Sequence, residues 1–284
     1  MPTTLIDGIV THYEVRGAGP PLLMFSPGGF DATLDKWTSL GVYERIGLLD
    51  RLPQKYTCIV FDRRETGRSG GRVECVSWSH FANQAKGLLD HLGYSTAHLL
   101  GGCMGCSVAL AFAVAHPQAT RSMVLYWPVG GAHFRIKGQG RFAEHLALVE
   151  SQGLAGVVDH ILKSTDTFGR DPRVGPWAPV VRADPEFAAK YAKIDVERYK
   201  RVLSEMAGVL YDRDAAPGAE PEDLMELEIP ALIVPGRDPA HATSAARYLE
   251  ECLPNSEYWD ILPEDQTEAV VPARILSFLE SVGG

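Results

Sequence analysis

The chain has no run of apolar residues approaching the ~20 needed to cross a bilayer, so no segment is a candidate membrane-spanning helix. It is also short of positive charge. Against 36 Asp and Glu it sets only 27 Lys and Arg, for a formal net charge of -9, the wrong sign for a nucleic-acid partner. Cysteine is scarce: Cys58, Cys75, Cys103, Cys106 and Cys252 are odd in number and scattered, which does not make a disulfide framework. Two thiols at Cys103 and Cys106, with no second pair and no H-x3-H group, are too few ligands for zinc. Met1 to Val10 lacks a basic segment followed by a long apolar core, so the expected location is cytoplasmic. No repeat or low-complexity tract interrupts the 284 residues. Hydrophobic and charged contents of 45% and 22% are those of a globular protein with a large core.

Strand and helix patterns alternate through the first part of the chain. Thr11 to Val15, Pro21 to Phe25, Tyr56 to Phe61, Ala97 to Leu100 and Ser122 to Trp127 read as strands, and Trp37 to Leu52, Trp78 to Leu92 and Ser107 to Ala115 as helices. The alternation resumes late with strands at Ala231 to Pro235 and Tyr258 to Leu262 and helices at Ser244 to Cys252 and Pro272 to Val282. Between them the chain reads only as helix: Arg141 to Gln152, Ala155 to Lys163, Pro185 to Ile194 and Val196 to Asp212. The expected class is therefore α/β, a mostly parallel sheet flanked by helices. Residues 1–129 and 227–284 would form its core, and residues 130–226 a helical lid over one sheet edge.

One junction carries chemistry. Leu99-Leu100-Gly101-Gly102-Cys103-Met104-Gly105-Cys106 runs from an apolar strand through a G-x-C-x-G turn into a helix. Glycines two positions either side let the chain double back and thrust the Cys103 side chain above the sheet edge. The unpaired N–H groups at the new helix's start favour thiolate over thiol, which suits a nucleophile. The same residues also read as a C-x-x-C redox pair at a helix start, with a reversible Cys103–Cys106 bridge as its consequence.

Four segments together resemble the α/β-hydrolase fold family over nearly the whole chain. They are Ser26-Pro27-Gly28-Gly29-Phe30, Asp62-Arg63-Arg64-Glu65-Thr66-Gly67-Arg68-Ser69, the Cys103 turn, and Pro235-Gly236-Arg237-Asp238. The second is similar to the family's D-x-R-G-x-G-x-S turn, with Glu65 at a glycine position. The resemblance implies an oxyanion hole from the backbone N–H of Met104 and of Gly28 or Gly29, and a catalytic acid at Asp238. A cysteine in the nucleophile position is similar to the dienelactone hydrolases in that feature alone.

The sequence departs from this family at the base. The family places a histidine after the last strand, but here that loop reads Leu262-Pro263-Glu264-Asp265-Gln266-Thr267-Glu268, and no histidine follows His241. Three replacements stand open: His241, three residues beyond Asp238; His133, after the sixth strand; or a carboxylate, Glu264, Asp265 or Glu268. The other seven histidines fall on early strands or helix bodies and read as structural.

Trp37 and Trp127 are expected at the cleft rim as apolar wall, and Arg135 or Arg173 in the lid would suit a carboxylate-bearing substrate. The expected activity is hydrolysis of a small ester, lactone, thioester or carbon–carbon bond next to a carbonyl, with no cofactor. Two other classes stay open: a lyase or other non-hydrolytic reaction in the same pocket, and a non-enzymatic ligand-binding or redox-sensing protein. A homo-oligomer is compatible with either.

Overall fold

A computed structural model describes residues 2–283. Eight strands form one sheet: β1 (Thr3–Ile6), β2 (Ile9–Arg16), β3 (Pro21–Phe25), β4 (Thr57–Phe61), β5 (Ala97–Gly102), β6 (Thr120–Tyr126), β7 (Ala231–Val234) and β8 (Ser256–Tyr258). Their spatial order is β1-β2-β4-β3-β5-β6-β7-β8. β1 and β2 pair antiparallel, as do β2 and β4; every later pairing is parallel. The central strands β3, β4, β5 and β7 are buried at every position, as continuous apolar runs covered by helices on both faces must be.

One face is covered by α4 (Trp78–His91), α5 (Met104–Ala115) and α11 (Thr243–Cys252). The other carries the short α1 (Lys36–Ser39), α2 (Gly41–Ile46) and α3 (Leu48–Arg51), together with α12 (Val271–Ser281). The α5 residues Met104 to Ala113 are all buried, because this helix lies against the sheet centre and is apolar all round.

Every helix of the middle section lies between β6 and β7: α6 (Ala132–Lys163), α7 (Ala178–Ala183), α8 (Pro185–Tyr191), α9 (Val196–Leu210) and α10 (Pro221–Met225). This insertion packs onto the loop after β3, where Phe30 meets Phe142 and Phe168 edge-on at 5.7 and 5.4 Å between ring centroids. Gly153 breaks α6 with φ 65° and ψ 176°, between the two helical runs expected there.

Some boundaries differ from those expected. β1 was not anticipated; it pairs with β2 across a two-residue turn in which Asp7 and Gly8 both have positive φ (50° and 70°). The single helix expected over Trp37 to Leu52 is three short ones, since Leu40 is extended and Gly47 left-handed (φ 56°). The last strand ends at Tyr258 rather than Leu262. Among the described residues no helix is long and apolar enough to cross a membrane.

Candidate active site

β5 ends at Gly102 and α5 begins at Met104, so Cys103 alone makes the turn, at φ 54° and ψ -125°. A non-glycine residue there costs on the order of 1–3 kcal/mol, and surrounding structure must hold it. That structure is the glycine frame. A Cβ on Gly101 would lie 2.6 Å from the Cys106 Cα, and one on Gly105 would lie 2.2 Å from the Phe25 carbonyl oxygen. Any side chain at either position would push α5 off the sheet and release the turn. Cys103 is thereby held at the C-terminal edge of the sheet and stays partly exposed.

The loop after β7 supplies its neighbours. His241 Nδ1–H donates to Asp238 Oδ2 at 2.8 Å, and Asp238 Oδ1 accepts from the backbone N–H of Ala240 (2.8 Å) and His241 (3.0 Å). Because a carboxylate only accepts, Nδ1 carries the proton and Nε2 is the nitrogen turned to Cys103. Nε2 is buried with no hydrogen-bond partner at bonding distance among the described residues, while His241 and the Cys103 thiol lie close enough to shift each other's protonation.

Burial disfavours every charge here, yet the mutual interactions prevail. Burial pushes the Cys103 thiol up, but the His241 imidazolium and the backbone N–H groups of Gly28 and Met104 outweigh it and leave the pKa below the ordinary value. Burial likewise pulls His241 down, while Cys103 and Asp238 together raise it to about 10. The hydrogen bond from His241 holds Asp238 at about 2. The mutual shifts favour a thiolate beside an imidazolium, with the Asp238 carboxylate on the far nitrogen of the ring.

Gly28, at φ 104°, turns its amide toward the sulfur alongside that of Met104. Gly29 instead presents its carbonyl to Arg63, whose Nη2 also reaches the Gly28 carbonyl at 3.1 Å. Two amides aimed at one sulfur can also bind an oxyanion growing beside it.

A chemical reason for His241's position lies in two neighbours. A Cβ on Gly236 would sit 2.5 Å from the His241 Cβ, so only glycine lets the histidine fold back over the strand end. The Trp127 ring flanks His241 at 5.4 Å, and its indole donates to Gln266 Oε1 at 2.8 Å. Trp127 itself has φ 56°.

Several expected residues lie elsewhere. Trp37 is not at the rim: it is fully buried on the α1–α3 face, edge-on to Tyr43 at 5.4 Å, because α1 turns it inward behind Gly102. Glu264, Asp265 and Glu268 are exposed, and Glu268 pairs with Arg51 at 2.9 Å. That loop contributes instead Gln266, fully buried, accepting from Trp127 and the Tyr126 hydroxyl. Nothing in an isolated glutamine flags such a role. His133 is exposed on α6 and lines an open cavity of about 260 Å3 with Phe134, Lys137, Arg141, Asp238, Pro239 and Ala240. Arg135 and Arg173 are paired at 2.7 and 2.8 Å with Asp214 and Asp171. Cys106 is fully buried, with its sulfur 3.1 Å from the Gly101 carbonyl oxygen, and burial raises its pKa well above the ordinary value; it is a poor redox partner. Both thiols are free. Among the described residues no three His, Cys, Asp or Glu side chains converge as a metal site.

Residues 21–138 match the family model described as alpha/beta hydrolase fold. Over 98% of this chain and 100% of its counterpart, the backbone matches an enol-lactonase from Burkholderia xenovorans, with a TM-score of 0.63 at 19% identity. The chain has the α/β-hydrolase fold. Among curated relatives, a 2-hydroxy-6-oxo-6-phenylhexa-2,4-dienoate hydrolase of Comamonas testosteroni is 31% identical over 132 residues, 45% of this chain and 44% of that protein. The dihydrolipoyllysine-residue acetyltransferase component of the acetoin cleaving system of Cupriavidus necator is 32% identical over 125 residues, 44% of this chain and 31% of that protein. The chain thus spans less than half the length of these curated relatives.

Proposed function

We propose that this protein hydrolyses a small carbonyl compound (an ester, lactone, thioester or carbon–carbon bond next to a carbonyl) with Cys103 as nucleophile, His241 as general acid and base, and Asp238 as orienting acid. The observation that carries the reading is the convergence on one strained, partly exposed cysteine of a histidine–aspartate pair and two backbone amides. The hydrolase names of relatives and of structures sharing the fold agree with it.

The thiolate attacks the carbonyl carbon, and the displaced electron pair becomes an oxyanion held by the Gly28 and Met104 N–H groups. As that intermediate collapses, the bond to the leaving group breaks and His241 Nε2–H protonates the departing atom. The acyl thioester on Cys103 is then attacked by a water whose proton passes to Nε2. Cleavage of the carbon–sulfur bond releases the acid and restores the thiolate–imidazolium pair. The helical insertion would act as the lid, shielding the thioester from bulk water, and Trp127 would form part of the apolar wall beside His241.

The test uses a panel of p-nitrophenyl esters. Continuous turnover, with an acyl adduct on Cys103 trapped by acid quench and located by mass spectrometry, is expected. Cys103→Ala should reduce turnover by about a thousandfold or more. Undiminished turnover in that variant overturns the reading, and a stoichiometric burst without turnover would place His241 outside the deacylation step.

A further inference from the structure

Arg63 sits beside this site with two of its guanidinium nitrogens unpaired. It is 5% exposed, and its guanidinium lies 4.5 Å from the Phe81 ring centroid, within the fields of Tyr211, Cys103 and Glu65. Nη2 donates to the carbonyls of Gly28 and Gly29. Nε and Nη1 are buried and have no hydrogen-bond partner among the described residues. The nearby carboxylates are committed elsewhere. Asp62 accepts from His12, from the Leu34 N–H and from the Arg68 N–H, and Glu65 accepts from Arg64 and Arg72. Buried guanidinium N–H groups left without acceptors are costly unless a ligand completes them.

The approach to the site carries the same sign. Lys137 and Arg141 line the cavity next to Asp238, and neither forms an ion pair among the described residues. Tyr211, whose ring contacts Phe134 in that cavity wall at 5.0 Å, feels both Arg141 and Arg63. On a chain of net charge -9, Arg141 and Arg63 thus bring two cations to the neighbourhood of Tyr211 and Cys103, a local field that favours anions.

We propose that Arg63 is the carboxylate-binding residue of the site and that the substrate is an anionic carbonyl compound, its carboxylate held by the free guanidinium N–H groups while its reactive carbonyl lies over Cys103. This specificity rests on the hydrolase reading above. It replaces the Arg135 and Arg173 expected from sequence, which are already paired.

The probes are the mono-p-nitrophenyl esters of succinate and glutarate and their uncharged isosteres, the 4-methylpentanoate and 5-methylhexanoate. The native protein should favour at least one anionic ester over its isostere by about tenfold or more in kcat/KM, the scale of a charge-assisted hydrogen bond. Arg63→Gln should erase that preference, and Arg63→Lys should retain part of it. A native protein without the preference, or an Arg63→Gln chain in which both esters fall by the same factor, overturns the proposal; the latter leaves Arg63 as a prop for the Gly28–Gly29 loop. A second readout needs no turnover. In a Cys103→Ala background, succinate or glutarate binding measured by calorimetry should weaken about tenfold on adding Arg63→Gln. If the esters are not hydrolysed, the hydrolase reading fails, while binding that is absent or indifferent to Arg63 sinks the carboxylate site by itself.

Discussion

His241 pairs with Asp238 at 2.8 Å although only two residues separate them, and the same imidazole meets Cys103 across the sheet edge. One short loop after β7 therefore carries both of the residues proposed as acid and base. An isolated bridge between Gly130 and His241 fastens this loop to the one after β6.

The direction of each shift sets the pH profile of acylation. The attacking species needs the thiolate, formed below the ordinary cysteine range, and the imidazolium, retained up to about 10. Acylation kcat/KM should thus rise with an acid limb below the ordinary cysteine range and fall on the alkaline side near pH 10, as His241 loses its proton. Removing the carboxylate in Asp238→Asn should move that alkaline limb to lower pH. An alkaline limb unmoved by this variant would separate Asp238 from the base.

Gly236→Ala tests the backbone that admits His241. The new Cβ would fall 2.5 Å from the His241 Cβ and 3.1 Å from the Trp127 ring, so the imidazole must shift. Misplacement of about 1 Å in a catalytic group costs roughly a hundredfold. Activity should fall by about that factor, with the urea midpoint changed far less. Equal activity in the two proteins would show that His241 tolerates displacement.

Cys106→Ala distinguishes hydrolysis from redox chemistry. Cys106 packs its thiol against the Gly101 and Tyr126 carbonyls beneath the turn. Ester turnover should stay within a few-fold of the native value, with stability reduced by about 1 kcal/mol. Loss of turnover together with a Cys103–Cys106 disulfide in the oxidised native protein would restore the redox reading.

His145 predicts the pH dependence of the insertion. It is fully buried; Nδ1–H donates to the Arg173 carbonyl (2.9 Å) and Nε2 accepts from the Tyr199 hydroxyl (2.7 Å), which in turn accepts from Tyr191. Burial holds its pKa at about 4, and does the same for His98. The unfolded chain binds protons on these groups below about pH 6.5 while the folded chain does not, so stability is full above that and falls as pH drops toward 4. Each contributes up to roughly 3 kcal/mol across this window. The urea midpoint should decline from pH 6.5 to 4.5, and less steeply in His98→Gln; a midpoint flat over that range would refute the assignment.

Local rules made much of this molecule readable from its residues. Continuous apolar runs of four to seven residues can only be strands covered on both faces, and the G-x-C-x-G spacing allows a reverse turn that nothing bulkier permits. The break at Gly153 and the bare helical stretch between β6 and β7 were legible for the same reason, since glycine and apolar periodicity act over a few residues. The Asp7-Gly8 hairpin signal was present too, but the strand it introduces is only four residues long.

Which candidate base lies beside the sulfur was decided by tertiary structure. Sequence left His241, His133 and three carboxylates open, because the choice depends on which loop tip folds over one sulfur, and that is a matter of packing between β6, β7 and the last loop. Gln266, invisible as a motif, occupies that last loop and binds the Trp127 indole, whose ring abuts His241. Trp37 went into the core and Arg63 came to lie behind the Gly28–Gly29 loop for a like reason. Chain order records which side chains exist and how the backbone bends around them. Only the three-dimensional closure of separate strands determines which of those side chains share one pocket, and with what charge.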